Sequence, residues 1–540
     1  MDYLFLGLDC STQSLTGIIF DLNLNKVVYR NSVSFDNELS HYNTLNGAVI
    51  LGSEKVVHSY PLMWVEALEL LFEKIKESKI SLFEIRAISG SAQQHGTVYL
   101  NNNFEKKLKH LDISKTLVSQ LKNSFSHPTS PIWMDSSTTK QCKEIRKTLG
   151  GLESTINLLG SNTIERFSGP QIRKFFQEHP KMYEETSIIH LVSSFMASIL
   201  LGKNAPIDHG DGAGMNLMNI KTKHWEKRAL EATAPNLIEK LPPLSYPYAI
   251  IGKISSYLVE KYGFNPNTSL IAWSGDNPNS LIGVGLIKKG KVAISLGTSD
   301  TYFSYLQDLY LDYKGEGHVF GAPTGDYMSL ICFENGSLAR EKIKNKFHLN
   351  WEEFSTILEK SPPGNNGKIM LPYFFPEIVP QVLEPKVYRF GFDENDVEGN
   401  VRGIIEGQFL SMRLHSKWIR EKPIEIYTTG GASTNKDILQ VLANIFKAKV
   451  LTFEFTDSAA LGAALRAAKS YYDSINQKKT WEDIVIKFID FQKNISVPPN
   501  EDHFELYDDM VDLYKKYELY ILKEGQDPET ERVKFIKKYF

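Results

Sequence analysis

At 540 residues the chain is longer than one hydrophobic core comfortably serves, so two domains are expected. Its 42% hydrophobic, 23% charged and 11% aromatic residues are the balance of a folded globular protein and exclude a disordered or fibrous one. A net charge of -3, without any long Lys/Arg run, argues against a nucleic-acid partner. The three cysteines, Cys10, Cys142 and Cys332, form no CxxC pair and suggest neither a disulfide framework nor a zinc site. The apolar opening run is short, lacks a basic leader and ends at Asp9, so it does not read as a signal peptide. No apolar stretch is long enough to span a bilayer, and a cytoplasmic protein with no membrane partner is expected.

In chain order, Tyr3 to Leu8, Thr16 to Phe20 and Lys26 to Ser34 read as β runs joined by polar turns, an antiparallel meander. Trp64, Ala67, Leu68, Leu71, Phe72 and Ile75 share one face of a predicted helix, and Ile85 to Ser89 follows as a strand. Strands, an amphipathic helix and another strand indicate a mixed α/β layer. Lys291 to Leu296 and Thr301 to Tyr305 repeat the opening hairpin around the turn Gly297-Thr298-Ser299-Asp300, so two related domains facing each other across a cleft are expected. The boundary is placed in Gly285 to Gly290, giving residues 1–287 and 288–540. Ile424 to Thr428 reads as a strand, Thr429 to Asn435 as a glycine-containing turn, and Ile438 to Phe446 as an amphipathic helix whose amino terminus favours anionic groups. From Glu501 onward the spacing is helical without candidate chemistry, which suggests packing or oligomerisation.

Asp9-Cys10-Ser11-Thr12-Gln13 places a carboxylate at a strand end, followed by hydroxyl residues on the turn. Phosphoryl transfer uses such parts, a carboxylate for Mg²⁺ and N–H and O–H donors for phosphate oxygens, although an ordinary β-turn uses them too. A second Gly/Ser/Thr turn at Gly297 and the Gly430-Gly431 strand-to-helix turn favour the phosphate reading, and the absence of GxxxxGK[ST] excludes a Walker-type kinase.

The ordered set formed by Asp9 to Gln13, Ser91-Ala92-Gln93-Gln94-His95-Gly96, Trp273-Ser274-Gly275-Asp276-Asn277-Pro278, Ser295 to Asp300 and Thr429 to Ser433 resembles the FGGY carbohydrate kinases. Within that family the chain is similar to the eukaryotic-type xylulokinase branch, with Arg166 to Gln171, His209 to Leu217 and Phe333 to Glu341 as further matching runs. The resemblance implies an actin-like ATPase fold of two RNase H-like domains closing over sugar and nucleotide. It implies ATP, Mg²⁺ and D-xylulose as partners, with ribulose, glycerol or another ketose or polyol as alternatives to the sugar, and a non-enzymatic actin-like ATPase or a sugar-binding regulator as the alternatives to a kinase. It also leaves open a monomer or a homodimer. The catalytic base falls on Asp276, and the sugar contacts on Gln94, His95, Arg166 and Asn277. The nucleotide contacts fall on Asp9, Ser11, Thr12, Gly297, Thr298, Trp351, Gly430, Gly431 and Asn435, with Asp9 reaching the metal through water. His95, flanked by Gln93, Gln94 and Gly96, is expected to be less buried than a core histidine. Asp211-Gly212-Ala213-Gly214 departs from the family's usual Asp-(Ala/Gly)-Ser-Gly, which removes any role for that serine hydroxyl.

Overall fold

The computed structural model describes residues 3–453, 457–490 and 493–540. The chain opens with β1 (Leu4–Cys10), β2 (Ser14–Asp21) and β3 (Lys26–Ser34), followed by α1 (Pro61–Glu77) and β4 (Ile85–Ala92). Further on come the short helix α2 (His209–Gly214), β5 (Ile250–Lys253), β6 (Ser269–Ile271), β7 (Ser274–Gly275) and α3 (Asp276–Gly283). The strands form one sheet in the order β5-β6-β4-β1-β2-β3, with β7 also paired to β4. The meander is present as read from the sequence: β1 pairs antiparallel with β2, and β2 antiparallel with β3. All seven residues of β1 are buried, as expected for a central strand covered on both faces. Helix α1 begins with proline at its first position, where a missing N–H costs nothing, and buries Trp64, Leu68, Leu71, Phe72 and Ile75 in the core beneath the sheet.

The second sheet uses β8 (Lys291–Leu296), β9 (Asp300–Leu306), β10 (His318–Gly321) and β11 (Tyr327–Phe333), followed by helices α4 (Ser337–Lys346), α5 (Trp351–Lys360) and α6 (Val397–His415). It is completed by β12 (Glu425–Thr429), β13 (Lys449–Phe453) and β14 (Lys493–Val497), in the order β10-β11-β9-β8-β12-β13-β14. Helix α7 (Lys436–Phe446) joins β12 to β13. The sheets share a plan. In each, the first strand has an antiparallel hairpin partner on one side and a parallel strand on the other, β2 and β4 for β1, β9 and β12 for β8.

Helix α8 (Ser458–Ser474) lies late in the sequence but packs on the first sheet, against β1, β4 and α3. Glycines permit that approach: a Cβ on Gly7 would stand 2.0 Å from the Ala460 carbonyl oxygen, and one on Gly462 would stand 1.9 Å from that of Asn279. The segment after Glu501 forms α9 (Phe504–Ile521) and α10 (Glu529–Tyr539), and α9 lies along α6. A buried network fixes it there. Arg402 donates to Glu406 (2.7 Å) and Tyr507 (2.8 Å), and His415 bridges Glu316 (2.7 Å) and Glu518 (3.0 Å). No helix among the described residues is long and apolar enough to cross a membrane.

Candidate active site

Parallel strands end their carboxyl termini on one side of a sheet, and loops leaving those ends form the crevice where α/β proteins bind ligands. In the first sheet Asp9 is opposite Ser91, and Ser91 is opposite Ser274, so β1, β4 and β7 run out along one row. The row delivers the phosphate-type turn after Asp9, the Gln93-Gln94-His95 loop after Ala92, and Asp276 after Gly275. Residues separated by more than 260 positions are thereby brought together.

Asp276 is the first residue of α3 and is partly buried. Its Oδ1 accepts from the Asn277 backbone N–H (2.8 Å) and, at 3.2 Å, from the Asn277 carboxamide, which also donates to Gln94 Oε1 at 2.8 Å. Desolvation, followed by the negative charge of Asp9, pushes the Asp276 carboxyl up to about 7. Asp9 is itself 6% exposed. It accepts from the Ser11 hydroxyl on Oδ2, while Oδ1 has no hydrogen-bond partner among the described residues. Burial raises its pKa, and the Ser11 hydrogen bond offsets part of that rise.

His95 differs from the expectation: it is buried, at 6% exposure. The polar neighbours read as signs of exposure, Gln93 and Gln94, are buried beside it. The imidazole stacks on Phe167 with centroids 4.3 Å apart, and Nδ1 lies 2.8 Å from the Gly214 carbonyl oxygen. Burial and the nearby Arg166 charge hold its pKa well below the ordinary value. The ring is therefore neutral, Nδ1 carries the proton, and Nε2, which has no protein partner among the described residues, can only accept. Gln94 Nε2 is a buried donor without a partner among the described residues. Arg166 forms no ion pair among the described residues; it sits against Phe167, and its charge also acts on His318 and Cys332 of the second sheet. Among the described residues an unpartnered acceptor on His95 and an unpartnered donor on Gln94 thus lie on the loop next to Asp276, with the Arg166 charge close to His95, a set suited to a small polyhydroxylated molecule.

On the second sheet Leu296 is opposite Asp300 and Ser295 opposite Thr429, which sets the Gly297-Thr298 and Gly430-Gly431 turns side by side. Gly430 has φ 89°, and a Cβ there would lie 2.5 Å from the Leu296 carbonyl oxygen, so the turn requires glycine for both reasons. A pocket of about 510 Å³ opens beside the turns, lined among others by Gly297, Thr298, Trp351, Gly431 and Asn435. Trp351, 43% exposed at the start of α5, offers an aromatic face on the wall. Asn435 is less free than expected: its side-chain oxygen caps α7 and its amide donates to Ser355 at 2.6 Å, so it shapes the pocket. Asp9, Ser11 and Thr12 belong to the opposite turn, where Thr12 accepts from the Trp133 indole at 2.8 Å.

Sequence reading assigned no role to several residues that organise these turns. Arg340 forms a two-pronged, fully buried ion pair with Asp300 (2.8 and 3.0 Å), bracing the Gly297 turn. Asp208 and Asp211 lie behind Asp276, with Asp211 kept well above the usual carboxylate range by burial and by Asp208. Asp211 and Arg340 lie within the quoted matching runs, and that was the available signal. Asn279 and Arg466 carried none.

Two α/β halves with a shared strand plan, one carrying Asp9 and Asp276 at its strand ends and the other a pocket of about 510 Å³ beside paired glycine turns, define the class, and comparison with known proteins gives the family. The N-terminal domain of the FGGY family of carbohydrate kinases matches residues 129–283, and the C-terminal domain of that family matches residues 292–471. The chain is 44% identical to xylulose kinase 2 of Arabidopsis thaliana over 493 residues, 87% of this chain and 88% of that one. It is 40% identical to the xylulose kinase of Rattus norvegicus over 534 residues, covering 97% and 98% of the two chains. In structure it superposes on the xylulose kinase of Rhodospirillum rubrum with a TM-score of 0.80 at 15% identity, over 96% of this chain and 99% of that one. The chain belongs to the FGGY family of carbohydrate kinases. Its fold is the two-domain actin-like ATPase type of the sugar kinases.

Proposed function

We propose that this chain transfers the γ-phosphoryl group of ATP to D-xylulose, giving D-xylulose 5-phosphate and ADP. The observation that carries the proposal is Asp276: a carboxyl poised near neutrality beside Asp9, at a row end it shares with an acceptor on His95 and a donor on Gln94 that have no partner among the described residues. The xylulose kinases at 40–44% identity supply the choice of sugar.

In this reading Asp276 accepts the proton of the attacking hydroxyl, the one task left to a base in a loose phosphoryl-transfer transition state. His95 Nε2 accepts from a sugar hydroxyl, Gln94 Nε2 and Asn277 contact the sugar's oxygens, and Arg166 orients it. The adenine lies against Trp351, the phosphates approach the backbone of Gly297, Thr298, Gly430 and Gly431, and Ser11 and Thr12 face them from the other side. The buried Oδ1 of Asp9, without a hydrogen-bond partner among the described residues, fits a hydrated magnesium ion arriving with the nucleotide, since Mg²⁺ keeps most of its waters and needs one or two carboxylates. The metal, when bound, neutralises charge on the phosphate oxygens. The reading keeps the division into residues 1–287 and 288–540 and a cytoplasmic enzyme.

Coupled ADP release from ATP and Mg²⁺ with D-xylulose, D-ribulose, L-ribulose or glycerol tests the proposal. Turnover with D-xylulose alone is expected. Faster turnover with another acceptor would transfer the site to that substrate.

A further inference from the structure

The loop carrying Asp276 is held from behind by a side chain of the second half of the chain. Arg466, on α8, is 1% exposed at its side chain. It spreads its guanidinium over four acceptors: Nη1 donates to Asn279 Oδ1 (2.8 Å), and Nη2 to the carbonyl oxygens of Pro247 (2.5 Å) and Ala272 (2.9 Å) and, at 3.4 Å, to Asp208 Oδ2.

Ala272 belongs to the loop itself, and two of the other partners, Asn279 and Asp208, reach it again. The carboxamide of the fully buried Asn279 donates to the carbonyl oxygens of Gly275 (3.0 Å), Gly90 (3.2 Å) and Ser274 (3.3 Å). Asp208 Oδ1 accepts from the Ser274 hydroxyl (2.9 Å) and from the Asp211 backbone N–H (2.9 Å). Ala272, Ser274 and Gly275, three of the four residues before Asp276, are therefore held by Arg466 directly or through one intermediary.

Neutralising Asp208 alone would not require this arrangement. At 3.4 Å the carboxylate is the most distant of the four acceptors, and the shorter bonds go to uncharged oxygens belonging to the loop, α3 and Pro247. A planar fork of fixed donors suits several acceptors in different directions; a lysine ammonium on a flexible stem does not.

We propose that Arg466, acting through Asn279 and Asp208, is a positioning residue that sets the Asp276 carboxylate in place for proton abstraction. The proposal rests on the reading of Asp276 as the base. Such a residue alters the chemical step and leaves nucleotide binding alone, whereas a purely structural residue alters the amount of folded protein and not the turnover of the folded fraction.

The test compares Arg466→Met, Arg466→Lys and Ser274→Ala with Asp276→Asn in the full chain. It measures kcat and KM for D-xylulose and ATP well below each variant's melting temperature, together with ATP affinity by titration calorimetry. Misplacing a catalytic group by about 1 Å costs on the order of 100-fold, so Arg466→Met is expected to lower kcat roughly 10- to 100-fold with ATP affinity unchanged. Arg466→Lys should fall between Met and the parent, and Ser274→Ala should lose a smaller share of kcat. Parental kcat in folded Arg466→Met overturns the proposal. If that variant does not fold, parental kcat in both Arg466→Lys and Ser274→Ala overturns it. Retention of turnover by Asp276→Asn removes the base reading itself, a separate and distinguishable failure.

Discussion

Replacing Asp276 by asparagine keeps the side chain's shape and removes the base. General-base catalysis contributes roughly 10²- to 10⁴-fold, so kcat should fall by that factor while ATP affinity stays as it is. The parent's kcat/KM should rise with pH and reach half its plateau near 7, because below that value burial and Asp9 keep the Asp276 carboxyl protonated. The same shift has a consequence for stability. A carboxyl raised in the folded state from 3.8 to about 7 destabilises the fold progressively as pH climbs through that window, by ~4 kcal/mol at most. Partial exposure screens some of this, leaving about 1–3 kcal/mol. Asp276→Asn, assayed by urea unfolding, should therefore be less active and more stable than the parent at pH 8, and should lose that stability advantage near pH 4. A flat pH profile between 5.5 and 9, or an asparagine variant that keeps a tenth of its activity, would refute the reasoning.

Three other outcomes are expected. Trp351→Ala removes an aromatic face worth about 1–2 kcal/mol to a stacked base, so the Kd for ATP should rise roughly 5- to 30-fold by calorimetry with the KM for the sugar unchanged. Gly7→Ala drives a methyl to 2.0 Å from a backbone oxygen of α8; a loss of about 3 kcal/mol or more in urea unfolding is expected. His415, held up to about 9 by Glu316 and Glu518 against its burial, stabilises the docked tail fully below pH ~6.5 and loses that contribution as pH rises through 9. The contribution, ~3 kcal/mol, should vanish in His415→Gln when unfolding is compared at pH 6.5 and 9.5.

The two hairpins, helix α1 and the strand-to-helix turn before α7 were legible because each is local: alternation, a stripe of apolar residues or a glycine turn lies within a few consecutive positions. Asp9, Gln94, His95 and Asp276 were legible by the resemblance, and the strand register explains why residues so distant in sequence stand together. The burial of His95 was not legible. It depends on Phe167 and on the Gly214 carbonyl at the end of α2, about 70 and 120 positions away. Arg466 was invisible for the same reason: on its own helix it is one cation among alanines, and every acceptor it reaches lies roughly 190 to 260 residues earlier.

The placement of α8 also bears on how the chain folds as it is made. The last strand of the first sheet ends at Gly275, and the helix that covers one face of that sheet begins at Ser458, roughly 180 residues later. At ~5–20 residues per second, the ribosome needs on the order of 10–40 s to deliver the cover. During that interval Phe5, Ile18 and Phe20, which share an apolar cluster with Ala460, Leu461 and Ala464, await their partners. The first sheet is thus synthesised well before it is sealed, and a nascent chain stalled between those points presents an apolar surface to the cell's chaperones.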